Sequence, residues 1–410
     1  MKDKISKKID SYLEYTVELQ AGLTARPAIA PCNGGEGEYE KAAWLEKELK
    51  KLHFDELFRI DAPQKEAKKG IRPNIVARYK GSKRGKTLWI MSHLDVVPPG
   101  EASLWKTDPY KLVREGGKIY GRGVEDNQQG VVSSILCARA LMDLGLRPEA
   151  DLGLLFNADE ETASEYGADY VLEKRRDIFG KKDMFIIPDF GNSEGSLVEV
   201  AEKSLLWLKV RTEGKQCHAS NPEAGANSFR AASDLVVRLA ALYKKFPLRD
   251  RQFMPPVSTF EPTKKDANVP NINTIPGEDV FYLDCRVLPN YKLSEVLAEI
   301  KRQAAPVEKK YGVSVSLEPV QQVQASPPTK ADAEIVRLVI AGAKQVYGCK
   351  AKPCGIGGGT VAASFRKAGF DAAVFSRLDE VAHQPNEYCI LDNLLGDAKV
   401  FALAALNLKA

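Results

Sequence analysis

This 410-residue chain is expected to be an α/β protein: a larger domain with a mixed sheet flanked by helices, interrupted by an inserted ferredoxin-like α+β domain. Three observations predict that class. Strand-like apolar runs alternate with amphipathic helical stretches up to about residue 200. An order β-α-β-β-α-β follows, and helix–strand alternation resumes after SPPTKAD (326–332). A chain of this length also exceeds one ordinary core. The expected domains are 1–203 and 321–410, together forming one α/β body, with 204–320 inserted into it.

Taken in order, residues 3–20 and 37–52 carry helical periodicity; EYEKAAWLEKELKKL repeats apolar residues every three or four positions. Strands are expected at 74–80 and 86–92, separated by the polar turn YKGSKRGK (79–86). A helix over 128–145 ends at Gly145, followed by strand 152–157, helix 165–176 and strand 184–188. In the insert, SLLWLKVRT (204–212) alternates as a strand and 227–246 reads as a helix. Strands near 256–261 and 279–287, a helix over 293–312 interrupted or ended near Pro306, and strand 313–320 complete it.

Three of these runs stop on metal-binding types of side chain: KTLWIMSHLD, LGLLFNADEE and DMFIIPD. Ligands of open α/β sheets sit at the carboxyl ends of the strands, so His93, Asp95, Glu160, Glu161 and Asp189 should share one rim. GRGVEDNQQG (121–130) adds Asp126 on a Gly-rich turn before a helix, and VAHQPNE adds His383. Taken singly, each would more often be structural; His53, in the charged stretch KKLHFDE, reads as a surface residue. Together they supply two imidazoles and at least three carboxylates, a donor set that suits Zn²⁺, with Co²⁺ or Mn²⁺ as substitutes. Asp95, two residues after His93, can hold the imidazole. Glu160 and Glu161, if extended, point to opposite sides, so that one binds metal while the other faces water.

Composition narrows the class. Hydrophobic content of 44% with 28% charged residues is that of a globular protein, and a net charge of +4 is too small to suggest a nucleic-acid partner. No apolar run is long enough to span a bilayer, and the N-terminus has no apolar signal core, so the cytoplasm is the expected compartment. Seven widely spaced cysteines without a CxxC pair argue against a disulfide framework or a Cys-type zinc site.

HLDVVPPG, Trp105 with DPY, GRGVED, ADEE, PD, HAS, NTIPG and HQPNE occur in the order found in one family. From about 74 to 390 the chain resembles the dinuclear-zinc aminoacylases, acetylornithine deacetylases, succinyl-diaminopimelate desuccinylases, carnosinase-type dipeptidases and carboxypeptidases. The resemblance implies one metal on His93 and Asp189, a second on Glu161 and His383, and Asp126 bridging both. It makes Glu160 the general base and Asp95 the orienter of His93. It also implies a homodimer through the insert, in which His218 of QCHASN reaches the neighbouring subunit's site as an oxyanion donor. Asn273 and Arg286 match positions near the substrate, although Arg286 could equally pair with Asp284 or Asp279. The loop Gly357-Gly358-Gly359-Thr360 can offer N–H groups to an anion but is not a nucleotide phosphate loop.

The implied activity is hydrolysis of the amide bond of a small N-acyl amino acid by a metal-bridging hydroxide. A dipeptidase or carboxypeptidase would use the same machinery. A catalytically silent binding protein of the same fold is the remote alternative, disfavoured because every ligand position is retained. One departure stands out: many relatives follow the bridging aspartate with a lysine–glycine turn, where this chain has Asn127-Gln128-Gln129-Gly130.

Overall fold

The computed structural model describes residues 2–410, which divide into two compact units. The first comprises 1–200, 329–354 and 360–410; the second comprises 201–328 and 355–359.

An eight-stranded mixed sheet dominates the first. Its strands are β1 (Glu56–Pro63), β2 (Ile71–Tyr79), β3 (Thr87–His93), β4 (Asp151–Asn157), β5 (Met184–Gly191), β6 (Leu197–Glu202), β7 (Lys352–Ile356) and β8 (Asp371–Ser376). Their spatial order is β1-β2-β4-β3-β5-β8-β6-β7. The centre is parallel, β3 pairing with β4 and β5, and β8 with β5; β1 and β2 run antiparallel at one edge. Every residue of β3 is buried, as a parallel strand covered on both faces requires, which explains its unbroken apolar run. Helices Gln128–Asp143 and Leu391–Asn407 pack together beside it, each buried along most of its length. Around Trp89, the rings of Phe179, Phe185, Phe365 and Phe370 form a continuous aromatic core. Burial of such rings is a large apolar contribution, about 1.5–3 kcal/mol for each fully covered side chain.

The second unit contains a four-stranded antiparallel sheet ordered Thr259–Lys265, Glu278–Val287, Ser204–Glu213, Ser314–Val323. Helices Ser228–Leu239 and Leu293–Tyr311 cover one face of it, sharing a core that includes Leu208, Leu235, Phe281 and Ile300. This is the β-α-β-β-α-β arrangement of a ferredoxin-like unit.

Several expectations needed correction. Residues 2–24 form two helices, Lys2–Asp10 and Leu13–Thr24, rather than one. Residues 227–246 likewise split, at Ala240. The helix Leu293–Tyr311 runs unbroken through Pro306. Pro306 is exposed, so water can satisfy the carbonyl that its missing N–H leaves open. The strands β1 and β6 were not anticipated; β1 is an edge strand, half-exposed along its first four residues, so its apolar signal is diluted. Among the described residues, no helix is long and apolar enough to cross a membrane.

Candidate metal centre and active site

The carboxyl edge of the central strands carries the expected residues. His93 is the last residue of β3, level with Asn157 at the end of β4. Asp189 lies near the end of β5, and Asp126 lies in the turn preceding helix Gln128–Asp143. Gly130 lets that helix approach β5, since a Cβ there would stand 2.5 Å from Asn127 Oδ1 and from Pro188 Cγ. Two groups of donors result, His93–Asp126–Asp189 and Asp126–Glu161–His383, with Asp126 common to both. Its two oxygens divide between them: Oδ1 is 2.9 Å from His93 Nε2 and Oδ2 is 3.1 Å from His383 Nε2. Asp189 Oδ1 is 3.5 Å from His93 Nε2, and Glu161 Oε2 is 3.1 Å from His383 Nε2. Donors held about 2.0–2.1 Å from one tetrahedral ion stand about 3.3 Å apart. The residues fit a pair of divalent ions.

Electrostatics agrees with that fit, because carboxylates outnumber the cationic groups facing them. Burial pulls the His93 imidazole down, but contacts with Asp126, Asp189 and Asp95 outweigh it and leave it well above its usual range. Contacts with Asp126 and Glu161 push His383 up to about 10. Burial, reinforced by the charge of Asp126, pushes Glu161 up to about 7. Burial also raises Glu160 well above the usual carboxylate range, with Asp189 adding to it. Protons are retained where metal cations would otherwise neutralise the charge.

Glu160 belongs to neither donor group. Its separation from Glu161 does not come from extended backbone, as expected, but from a turn. Asp159 adopts a left-handed conformation (φ +65°), and Glu160–Thr162 form a single 3₁₀ turn. Aspartate tolerates this conformation when its side chain is engaged locally; here it accepts from the Thr162 hydroxyl and, at 3.0 Å, from Tyr166 N–H. The carboxylate of Asp95 accepts the N–H groups of Glu160 (3.1 Å) and Glu161 (3.0 Å). Toward His93 Nδ1, the backbone oxygen of Asp95 is nearer, at 3.1 Å, than its carboxylate at 3.4 Å. Asp95 thus ties the glutamate turn to β3 as well as facing the imidazole.

Residues 89–407 match the model of peptidase family M20/M25/M40. The chain belongs to this family. It is therefore a metallohydrolase of amide or peptide bonds. It is 42% identical over 405 residues to an uncharacterised metallohydrolase of Methanocaldococcus jannaschii, covering 95% of this chain and 98% of that one. It is 27% identical over 340 residues to the succinyl-diaminopimelate desuccinylase of Alkalilimnicola ehrlichii, covering 81% and 83%. Among solved structures, human carnosine dipeptidase 1 shares its fold, with a TM-score of 0.73 at 16% identity over 99% of this chain and 98% of that one.

Several residues inside or beside the motifs of this M20 site have no role assigned by the sequence reading. Glu387, fully buried, accepts from Arg122 Nη1 (2.7 Å) and Gly123 N (2.9 Å) through Oε2, and from Glu125 N (2.9 Å) and Asp126 N (3.1 Å) through Oε1. Glu125 returns the favour: its oxygens accept from Asp379 N (3.0 Å) and Val381 N (2.7 Å). Each carboxylate holds the loop that carries the other's neighbouring candidate donor, Asp126 or His383. The unusual Asn127-Gln128-Gln129 run is equally engaged. Asn127 Nδ2 donates to Asp189 Oδ1 (2.7 Å) and Pro188 O (2.6 Å), orienting a proposed ligand. Gln129 Nε2 donates to Ser376 Oγ, Arg377 O and Asp397 Oδ2, tying the helix to the start of the His383 loop. Behind the glutamate turn, Arg72 pairs with Glu38 and stands 3.2 Å from Asp159 Oδ1.

The other expected site residues lie mainly in the second unit. His218 is exposed on a two-residue strand; Ser220 N–H donates to its Nδ1 (3.2 Å), with Ser220 Oγ at 2.7 Å. Asn273 is exposed, and its side chain accepts from Asn271. Arg286 pairs with Asp284 at 2.8 Å, two residues along the same strand rather than across strands, and donates to Gly357 O at 2.9 Å. A Cβ at Gly357 or Gly358 would meet nothing within 4 Å; Thr360 precedes the short helix Ala362–Lys367. His53 is exposed, as expected of a surface residue.

Proposed function

We propose that this enzyme removes the acyl group from a small N-acyl amino acid by hydrolysing its amide bond. The observation that carries the reading is one aspartate shared by two donor groups, with a glutamate beside them belonging to neither. We assign one ion to His93 and Asp189, the other to Glu161 and His383, and the bridge to Asp126; the donor chemistry favours zinc, with cobalt or manganese able to substitute. Bound ions would supply Lewis acidity, polarising a carbonyl and acidifying water.

Glu160 then accepts the proton of the attacking water and returns it to the departing amine. Its carboxyl, raised by burial, suits both transfers. Asp95 holds the turn on which Glu160 sits. His218 is the oxyanion donor, offered to the site of a second subunit in a homodimer joined through the inserted unit. With Nδ1 accepting from Ser220, the neutral ring carries its proton on Nε2, which has no partner among the described residues. Asn273, Arg286 and the glycine loop Gly358-Gly359-Thr360 line the substrate side. The free cysteines agree with a cytoplasmic enzyme.

The desuccinylase likeness supports the acyl-amino-acid reading; dipeptide or carboxypeptidase cleavage would need the same groups. Metal-supplemented hydrolysis of N-acetyl and N-succinyl amino acids and of dipeptides, with metal stoichiometry measured on the same sample, decides. Faster cleavage of the acyl amino acids and two ions per chain are expected. Faster cleavage of dipeptides would replace the deacylase reading, and a single ion would remove the bridging role of Asp126.

A further inference from the structure

Beside the donor cluster, within the first unit, lies a cavity of about 210 Å³. Asp126 and Asp189, the donors assigned to the ions in the proposed function, are part of its lining. Its apolar wall is made by Phe190, Leu378 and Ala382, and its remaining charged residues are Glu125 and Glu380. The two glutamates differ. Glu125 is buried, and its oxygens are already taken by the N–H groups of Asp379 and Val381. Glu380 sits between those two anchored residues, exposed, in a left-handed conformation (φ +56°). No side chain among the described residues bonds to its carboxylate. The nearest arginine in sequence, Arg377, is turned elsewhere: Nε donates to Ser193 O at 2.7 Å and its guanidinium stacks 4.9 Å from the Tyr347 ring. No lysine or arginine lines the cavity.

We propose that this cavity selects a substrate side chain that is aliphatic along its stem and cationic at its tip, with Glu380 as the residue that reads the charge. The inference rests on the amide-hydrolase reading and adds the substrate class. Phe190, Leu378 and Ala382 take the methylene stem out of water, a gain proportional to apolar area. Two divalent ions would offset the charge of the ligand carboxylates and two backbone N–H groups already occupy Glu125, leaving Glu380 as the one exposed carboxylate of the lining. A carboxylate-tipped side chain would meet like charge there. A lysine-like tip would gain the modest attraction of a partly exposed ion pair.

The test compares kcat/KM of the metal-loaded enzyme on two series, one for each half of the substrate. N-acetyl-lysine, N-acetylnorleucine and N-acetylglutamate probe the amine half; lysyl-glycine, norleucyl-glycine and glutamyl-glycine probe the acyl half. In one series lysine should exceed norleucine about fivefold, with glutamate lowest. Glu380→Gln should bring the lysine-to-norleucine ratio close to one, and Glu380→Lys should place glutamate above lysine. Wild-type enzyme that cleaves the panel with no preference for lysine in either series overturns this inference and leaves the hydrolase reading standing. So does a Glu380→Gln enzyme with the wild-type ratio. Protein that cleaves none of the six overturns both.

Discussion

The donor cluster at the strand ends and the loops of the inserted unit present their functional side chains in opposite ways. His93 and the carboxylates of Asp126, Glu161 and Asp189 are largely covered, and they converge on one another from four chain segments. The side chains of His218, Asn273 and Arg286 hydrogen-bond to neighbours no more than two residues away along the chain, apart from the bond of Arg286 to Gly357 O. The first kind of site demands fixed geometry, because several like charges must be held close before a cation can repay the cost. In the proposed function the second would exchange its local partners for the substrate. Convergence is what a metal centre needs; local satisfaction is compatible with the substrate-side roles proposed for the second set.

Three substitutions would break or sharpen that contrast. The largest effect is expected from Glu160→Gln, which lies at the convergent site without belonging to either donor group. Its kcat should fall about 10²–10⁴-fold with metal content unchanged, read by steady-state kinetics and elemental analysis together. Loss of metal would make Glu160 a ligand rather than a base. His218→Ala, on the locally satisfied side, should lower kcat about 10²-fold while leaving metal stoichiometry and the midpoint of thermal unfolding where they were. A normal kcat would remove the oxyanion role. The smallest effect is expected from Glu125→Gln. Glutamine keeps one acceptor oxygen for the 379–381 loop, so metal affinity should weaken about tenfold in a chelator competition. Unchanged affinity would show that the His383 loop holds its place without this anchor.

The grouped donors were legible because they follow strand ends or sit in turns, features visible within ten residues of sequence. Their anchors were not. Glu387 meets Gly123 across 264 positions, and Glu125 meets Asp379 across 254. No local pattern distinguishes such a glutamate from one on the surface. Glu38 and Arg72, the partners behind Asp159, were hidden for the same reason. The Asn127-Gln128-Gln129 run was noticed only as an irregularity, and its meaning lies in the partners Asp189 and Asp397. The turn at Glu160 was misread as extended because the left-handed Asp159 is stabilised by Thr162 and Tyr166, downstream residues that a strand pattern does not register. For the fold, the strongly periodic or fully buried segments were found; the half-exposed edge strand β1 and the breaks near Ser11 and Ala240 were not.

The crossed carboxylates impose an order on biosynthesis. Four of the five donors precede residue 201, yet the turn bearing Asp126 is clasped by Glu387, which leaves the ribosome only after the whole second unit has been made. A nascent chain of 200 residues would hold most of the ligands and lack both the fifth donor and the clasp. The Asp126–Glu161–His383 group can therefore close only at the final stage of synthesis, when the interrupted body is rejoined.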